Sequence, residues 1–323
     1  MTQQGRRRVV ILVTAGLGLA AGAAVAAMRD TSPVGHFTSA AAQDRFLAAY
    51  DKAMHILPPP DQTLDLRTDY GIVRVYRFNG SASTSQVPIV LLPGRASASP
   101  IWADNLPTLL RQAAVYTVDL LGEPGMSIQS RPMISAADQA NWLHQVLIQL
   151  YEAQLDVLGV SIGGWTATNL AVHDSSKIRS IMLLDPVFVF GPISAAAIFR
   201  SIPASVRWFP RSWRDNFNSW TANGAAVEDV PAADMIEAGM QSYALKLPTP
   251  QQITEQQLNK LDLPVLTILA GRSRMHDSQA AAAVGQRTLL AGRVIMYPDA
   301  SHAINGEYPE QIAQDIEEFR SGL

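Results

Sequence analysis

The chain has 323 residues, of which 48% are hydrophobic and 16% charged, and a formal net charge of −3. This is the composition of an ordinary globular protein, and it lacks the basic excess on which nucleic-acid binding normally depends. The absence of cysteine excludes a disulfide framework, a thiol nucleophile, a thiolate metal site and a lipid-modified N-terminal cysteine.

The first 30 residues are predicted to be a targeting segment. Arg6-Arg7-Arg8 precede a charge-free run of 20 residues from Val9 to Met28, rich in Ala, Gly, Val and Leu. A basic flank and an apolar run are typical of an export signal, and Ala24-Val25-Ala26 offers a cleavage site. Twenty apolar residues also suffice to span a bilayer of about 30 Å, so the segment is either a cleaved signal peptide or a membrane anchor. Both alternatives predict that the rest of the chain is extracytoplasmic, either secreted or anchored to the cell membrane.

Beyond a linker predicted over 31–38, strand and helix patterns alternate along the chain. Helices are predicted over 39–54, 102–111, 135–151, 165–172, 278–291 and 309–319. Strands are predicted over 63–66, 72–78, 87–92, 115–121, 155–158, 181–184, 265–270 and 294–297. Such alternation indicates an α/β fold with a mostly parallel sheet covered by helices on both faces.

The segment 187–262 breaks this alternation. It contains six prolines, the tryptophans Trp208, Trp213 and Trp220, and short helical patterns with no strand predicted between them. We therefore predict a helical cap inserted over the carboxyl ends of the strands. The core of the fold is then formed by residues 31–186 and 263–323.

Ser161 stands at the apex of a predicted strand, turn and helix. The sequence Gly159-Val-Ser161-Ile-Gly163-Gly164 separates an apolar run from a helical pattern. A turn this tight strains its central residue and lifts the hydroxyl clear of the sheet, while flanking glycines leave room for strand and helix to approach. The alternative is a Gly-rich connection without a function.

Four sequence motifs follow one another along the chain. They are Pro88-Ile-Val-Leu-Leu-Pro-Gly94, Asp119-Leu-Leu-Gly122-Glu-Pro-Gly125-Met-Ser127, the turn at Ser161, and Pro298-Asp-Ala-Ser-His302-Ala. From about residue 44 onward the chain resembles the α/β-hydrolase family, and Ala140-Asn141-Trp142-Leu143 is similar to bacterial carboxylesterase-like members. The resemblance implies a Ser-His-Asp triad that hydrolyses small-molecule carboxylic esters through an acyl-enzyme, without a cofactor or metal.

The resemblance makes Ser161 the nucleophile and His302 its base. A serine hydroxyl is a poor nucleophile until a base takes its proton, and His302 follows the last predicted strand, where it can reach across to the serine. The four histidines on the leading segment and on helices are expected at the surface: His36, His55, His144 and His173.

Two backbone N–H groups are expected to stabilise the oxyanion, those of Ile162 and Arg95. At the second position the usual His-Gly pair of the family is replaced by Pro93-Gly94. The N–H donor survives this change, whereas a bracing hydrogen bond from the histidine does not. The Arg95 side chain either points into the pocket, where it would favour an anionic substrate, or is solvated or paired with a carboxylate.

The acid of the triad has two candidates. The family most often places it three residues after the glycine of the seventh strand, and Arg274 occupies that position. Asp185 ends a predicted strand, where its carboxylate would be held tightly, and its alternative role is to bond the turn. Asp277 lies three residues beyond Arg274, and its alternative role is to cap the helix that starts at Ser278.

Other functions remain open at this level. Hydrolysis of amides or C–C bonds and perhydrolysis use the same triad. Because Pro93 and Arg274 depart from the family pattern, a non-catalytic or weakly active binding protein, anchored at the membrane, is the alternative from another class.

Overall fold

The computed structural model describes residues 30–81, 86–206, 209–225 and 230–323. The predicted targeting run, its cleavage site and Trp208 lie outside the described residues. The strands are β1 (His36–Phe37), β2 (Gln62–Thr68), β3 (Gly71–Phe78), β4 (Ile89–Leu92), β5 (Val115–Val118), β6 (Ile128–Gln129), β7 (Leu155–Val160), β8 (Ile178–Leu184), β9 (Tyr243–Ala244), β10 (Val265–Ala270) and β11 (Gly292–Tyr297). The helices are α1 (Ala40–Met54), α2 (Leu106–Leu109), α3 (Ala136–Gln149), α4 (Ile162–His173), α5 (Ala195–Ser205), α6 (Arg211–Thr221), α7 (Pro231–Ser242), α8 (Glu255–Leu258), α9 (Ser278–Thr288), α10 (Ile304–Glu307) and α11 (Pro309–Ser321).

A nine-stranded sheet organises the described chain. Its strand order is β2-β3-β5-β4-β7-β8-β10-β11, with β6 also paired to β3. In sheet order, the six strands β5, β4, β7, β8, β10 and β11 are parallel to one another. At the other edge, β2, β3 and β6 form antiparallel pairs, and β3 also pairs antiparallel with β5. The predicted α/β fold with a mostly parallel sheet is therefore confirmed.

Both faces of the sheet are buried. Alternate residues of β4 point to opposite sides, so that Val90 and Leu92 belong to one hydrophobic core while Ile89 and Leu91 belong to the other. Residues of α3, α4 and α9 complete the first core, and residues of α1 and α11 complete the second. This burial explains why the central strands read as continuous apolar runs rather than as alternating patterns.

The segment between β8 and β10 contains the helices α5, α6 and α7. We call these three helices the cap helices. Arg214 of α6 is fully buried and donates a hydrogen bond of 2.7 Å to Glu237 of α7. Gly239 of α7 packs closely on the core, since a Cβ atom there would lie 2.9 Å from Cγ of Pro124. In the described part of the chain, no helix has both the length and the hydropathy required to cross a bilayer.

Two predictions about local structure are wrong. β1 lies in the predicted linker and pairs with β9, inside the segment where no strand was predicted; each has only two residues, too few to show a period of alternation. The helix predicted over 102–111 is divided into a 3-10 helix (Ser99–Trp102) and α2. Pro100 and Pro107 explain the division, because proline lacks an N–H and is tolerated only in the first turn of a helix.

Candidate active site

Ser161 occupies the turn between β7 and α4. Its backbone has φ 55° and ψ −117°, a strained conformation for a residue with a side chain. The turn depends on its glycines: a Cβ atom on Gly163 would lie 2.1 Å from the carbonyl oxygen of Leu92, and one on Gly159 would lie 2.3 Å from the carbonyl oxygen of Gly163. The predicted tight turn with a strained serine at its apex is thus present.

His302 lies between β11 and α10 and faces Ser161. Its Nε2 is 2.9 Å from Oγ of Ser161. Its backbone N–H donates a hydrogen bond of 3.3 Å to the carbonyl oxygen of Thr221, the last residue of α6. The imidazole is 12% exposed, so it is shielded from bulk water but within reach of a small substrate.

Asp185 follows β8, has φ 40° and is completely buried. Its Oδ2 accepts hydrogen bonds from Nδ1 of His302 at 2.5 Å and from Oγ of Ser273 at 2.7 Å. Its Oδ1 accepts from the N–H of Ala270 at 3.1 Å and from Nε2 of His276 at 2.9 Å. Four donors therefore surround one buried carboxylate, which satisfies the requirement that a buried charge be paired and hydrogen-bonded.

These contacts set the charge states around the carboxylate. Burial acts to raise the pKa of Asp185, but the hydrogen bond and charge of His302, the charge of His276 and the hydroxyl of Ser273 outweigh it and lower the pKa. Burial lowers the pKa of His276, and the charge of Asp185 opposes this shift. Since an ionised carboxylate only accepts hydrogen bonds, Nδ1 of His302 carries a proton and Nε2 is left to accept the proton of Ser161.

The other acid candidate and the residue at the usual acid position lie elsewhere. Asp277 caps α9, where its carboxylate accepts a hydrogen bond of 3.0 Å from the N–H of Ala280. Arg274 extends to the cap helices, with Nη1 3.4 Å from the carbonyl oxygen of Trp220 and the guanidinium 5.7 Å from the indole centroid. The structure therefore brings Asp185, and not Asp277, to His302.

The expected oxyanion donors lie beside the serine. Ile162 is the first residue of α4, where an N–H has no acceptor within the helix. The loop that contains Arg95 also approaches the serine, because a Cβ atom on Gly94 would lie 3.7 Å from Cβ of Ser161. The Arg95 side chain is paired with a carboxylate, the second of its two expected states, and donates to Glu123 at 2.6 Å. Burial raises the pKa of Glu123, and the Arg95 charge opposes this shift.

Comparison with known proteins agrees with this architecture. A model of the Alpha/beta hydrolase family matches residues 89–315. The chain belongs to the α/β-hydrolase family.

Several α/β-hydrolases are similar over most of their length. Carboxylesterase YbfK of Bacillus subtilis is 23% identical over 290 residues, which cover 86% of this chain and 94% of that protein. The 2-hydroxymuconate semialdehyde hydrolase of Pseudomonas putida is 24% identical over 263 residues, which cover 76% and 90%. The crystal structure of naproxen esterase from B. subtilis superimposes with a TM-score of 0.78 at 20% identity, covering 85% of this chain and 97% of that one. The predicted resemblance to bacterial carboxylesterases is confirmed.

Two side chains of this α/β-hydrolase site were not predicted from the sequence. His276 and Ser273 both donate to Asp185 from the loop after β10. No sequence motif marks these two residues as part of the site. They reach Asp185 because β8 and β10 are neighbouring parallel strands whose carboxyl ends lie side by side. The four histidines that were expected at the surface are partly or fully exposed, as predicted.

Proposed function

We propose that this protein is a serine hydrolase that cleaves carboxylic esters through an acyl-enzyme. The observation that carries the proposal is the single chain of hydrogen bonds from Ser161 through His302 to the buried carboxylate of Asp185. The similarity of the protein to carboxylesterases over most of its length supports an ester as the substrate.

Acylation begins when Oγ of Ser161 attacks the acyl carbon of the ester. The serine proton passes to Nε2 of His302, and the charge of the imidazolium is stabilised by Asp185. The carbonyl electron pair becomes the oxyanion of a tetrahedral intermediate, which accepts hydrogen bonds from the N–H groups of Ile162 and Arg95. When the intermediate collapses, His302 gives its proton to the departing alcohol, and the acyl group remains on the serine.

Deacylation repeats the same steps with water. His302 removes a proton from a water molecule, whose oxygen attacks the acyl carbon. The second tetrahedral intermediate expels Oγ of Ser161, which recovers the proton from His302, and the carboxylic acid is released. The reaction needs no cofactor at any step.

A fluorophosphonate probe tests the proposal. We expect the probe to label the wild-type protein covalently and to leave Ser161→Ala unlabelled, and we expect only the wild type to hydrolyse a short-chain p-nitrophenyl ester. Absence of both labelling and hydrolysis in the folded wild type would refute the assignment. Hydrolysis of a C–C bond is a second candidate, favoured by the similarity to the semialdehyde hydrolase. Assay of 2-hydroxymuconate semialdehyde beside the aryl ester separates the two.

We further propose that the protein works outside the cytoplasm, either secreted or anchored to the cell membrane. The basic residues Arg6-Arg7-Arg8 and the apolar run from Val9 to Met28 support this location. Cell fractionation with a carbonate wash, followed by N-terminal sequencing, separates a cleaved from an anchored form. Recovery of the full-length chain in the cytosol would contradict both.

A further inference from the structure

The oxyanion loop, residues 94–96, lacks the histidine brace that the family usually has. Pro93 stands in its place, yet the loop still has to hold the N–H of Arg95 in one direction next to Ser161. Its backbone is also strained, because Ala96 has φ 54°. A non-glycine residue in this conformation persists only where its surroundings hold it.

Glu123 contacts the oxyanion loop at two points. Its Oε1 accepts a hydrogen bond of 2.6 Å from Nη1 of Arg95, and its Oε2 accepts one of 3.2 Å from the backbone N–H of Ala96. One contact holds a side chain and the other holds the strained backbone itself. Glu123 is 1% exposed, so water cannot replace either contact easily.

The segment that carries Glu123 is itself held rigidly. Asp119 directly follows β5, the strand that pairs with β4. It is completely buried and accepts hydrogen bonds of 2.9 Å from the N–H of Ser99 and from the N–H of Met126. Two carboxylates of the same segment therefore hydrogen-bond to the backbone of the oxyanion loop and of the residues after it: Glu123 at Ala96 and Asp119 at Ser99. A rigid support of this kind fixes a donor within the narrow tolerance that transition-state stabilisation needs.

We propose that Glu123 is the positioning residue of the oxyanion loop, where it replaces the missing histidine brace and aims the N–H of Arg95 at the oxyanion. The inference rests on the proposed function. Glu123 touches no reacting atom, and it acts through the backbone of Arg95 and Ala96. The Arg95 guanidinium neutralises the carboxylate, so that a negative charge does not stand unpaired near the developing oxyanion.

The central experiment compares Glu123→Gln with Asp156→Asn. Asp156 is a matched control because it is also a completely buried carboxylate paired with arginines, Arg179 and Arg320, but it lies at the opposite end of β7 from Ser161. We expect Glu123→Gln to lower kcat about tenfold or more with KM within twofold, since loss of a whole oxyanion donor costs ~100- to 1,000-fold. Affinity for a trifluoromethyl ketone, which forms an oxyanion adduct, should fall by the same factor. Asp156→Asn should lower Tm and leave kcat and inhibitor affinity unchanged.

A second readout does not depend on catalysis. Amide hydrogen exchange in the peptide covering residues 94–99 should accelerate in Glu123→Gln and not in Asp156→Asn. If Glu123→Gln does not fold, Arg95→Met removes the same ion pair from the exposed side, since the arginine side chain is 38% exposed. Unchanged exchange together with unchanged kcat would overturn the proposal. Failure of the fluorophosphonate labelling would instead overturn the proposed function, and the exchange data would still test the brace.

Discussion

Replacing Asp185 by asparagine separates the two acid candidates more sharply than removing the side chain. In Asp185→Asn, the carbonyl oxygen of the new amide should take the position of Oδ1, because the backbone N–H of Ala270 points there and cannot turn into an acceptor. The amide NH₂ then takes the position of Oδ2 and faces His302 at close range. It donates to Nδ1, which forces the imidazole proton onto Nε2.

This tautomer blocks the proposed first step. With a proton on Nε2, the imidazole points a donor at Oγ of Ser161, 2.9 Å away, and cannot accept the hydroxyl proton. Loss of the acceptor and of the charge that stabilises the imidazolium is expected to lower kcat by about 10⁴. At about 1.4 kcal/mol for each factor of ten, this corresponds to ~5.5 kcal/mol of transition-state stabilisation. KM should change little, since Asp185 is buried away from substrate.

Steady-state hydrolysis of a p-nitrophenyl ester measures the effect, with Asp277→Asn as the control. Asparagine also caps helices well, so the control should keep its stability within a few tenths of a kcal/mol and its kcat within about twofold. A kcat above about one tenth of the wild-type value in folded Asp185→Asn would refute the tautomer argument. A large loss in Asp277→Asn alone would transfer the role to that residue.

Two further predictions concern stability. Burial lowers the pKa of His276, so the unfolded chain binds a proton below about pH 6.5 that the folded chain does not, and stability falls as the pH decreases from there. In thermal unfolding, the Tm of His276→Gln should therefore decrease less than that of the wild type between about pH 7 and pH 5. Equal decreases in Tm would contradict this. Gly163→Ala should lower the free energy of unfolding in urea by about 1–3 kcal/mol or more, because its Cβ would overlap the carbonyl oxygen of Leu92. Gly191→Ala, with open space around the new methyl group, should change it little, and similar losses in both would refute the steric argument.

Features that depend on neighbouring residues were predictable from the sequence. β10 has the predicted bounds, and the helix predicted from residue 135 begins at a capping box of Ser135 and Asp138. The strained turn at Ser161 was predictable for the same reason, since strand, glycines and helix follow one another directly. In each case hydrophobic periodicity or local hydrogen bonding acts over a few residues.

Contacts between distant parts of the chain that no family motif marks were not predictable. Glu123 meets Arg95 across 28 residues, and His276 meets Asp185 across 91. Both contacts exist only because the sheet order places the ends of particular strands together. The sequence showed that the histidine brace is absent at Pro93. It did not show that the buried carboxylate of Glu123, which follows β5, contacts the same loop.

In the proposed triad the acid follows β8 rather than β10, and these two strands are parallel neighbours. Ile268 of β10 lies opposite Leu184, the last residue of β8, so the chain after either strand leaves the sheet at the same edge. A carboxylate from β8 can therefore reach His302, while the loop after β10 supplies donors to it instead of the acid. This exchange explains why Arg274 is compatible with the proposed triad: the loop after β10 still contributes through Ser273 and His276, and Arg274 is free to contact the cap helices.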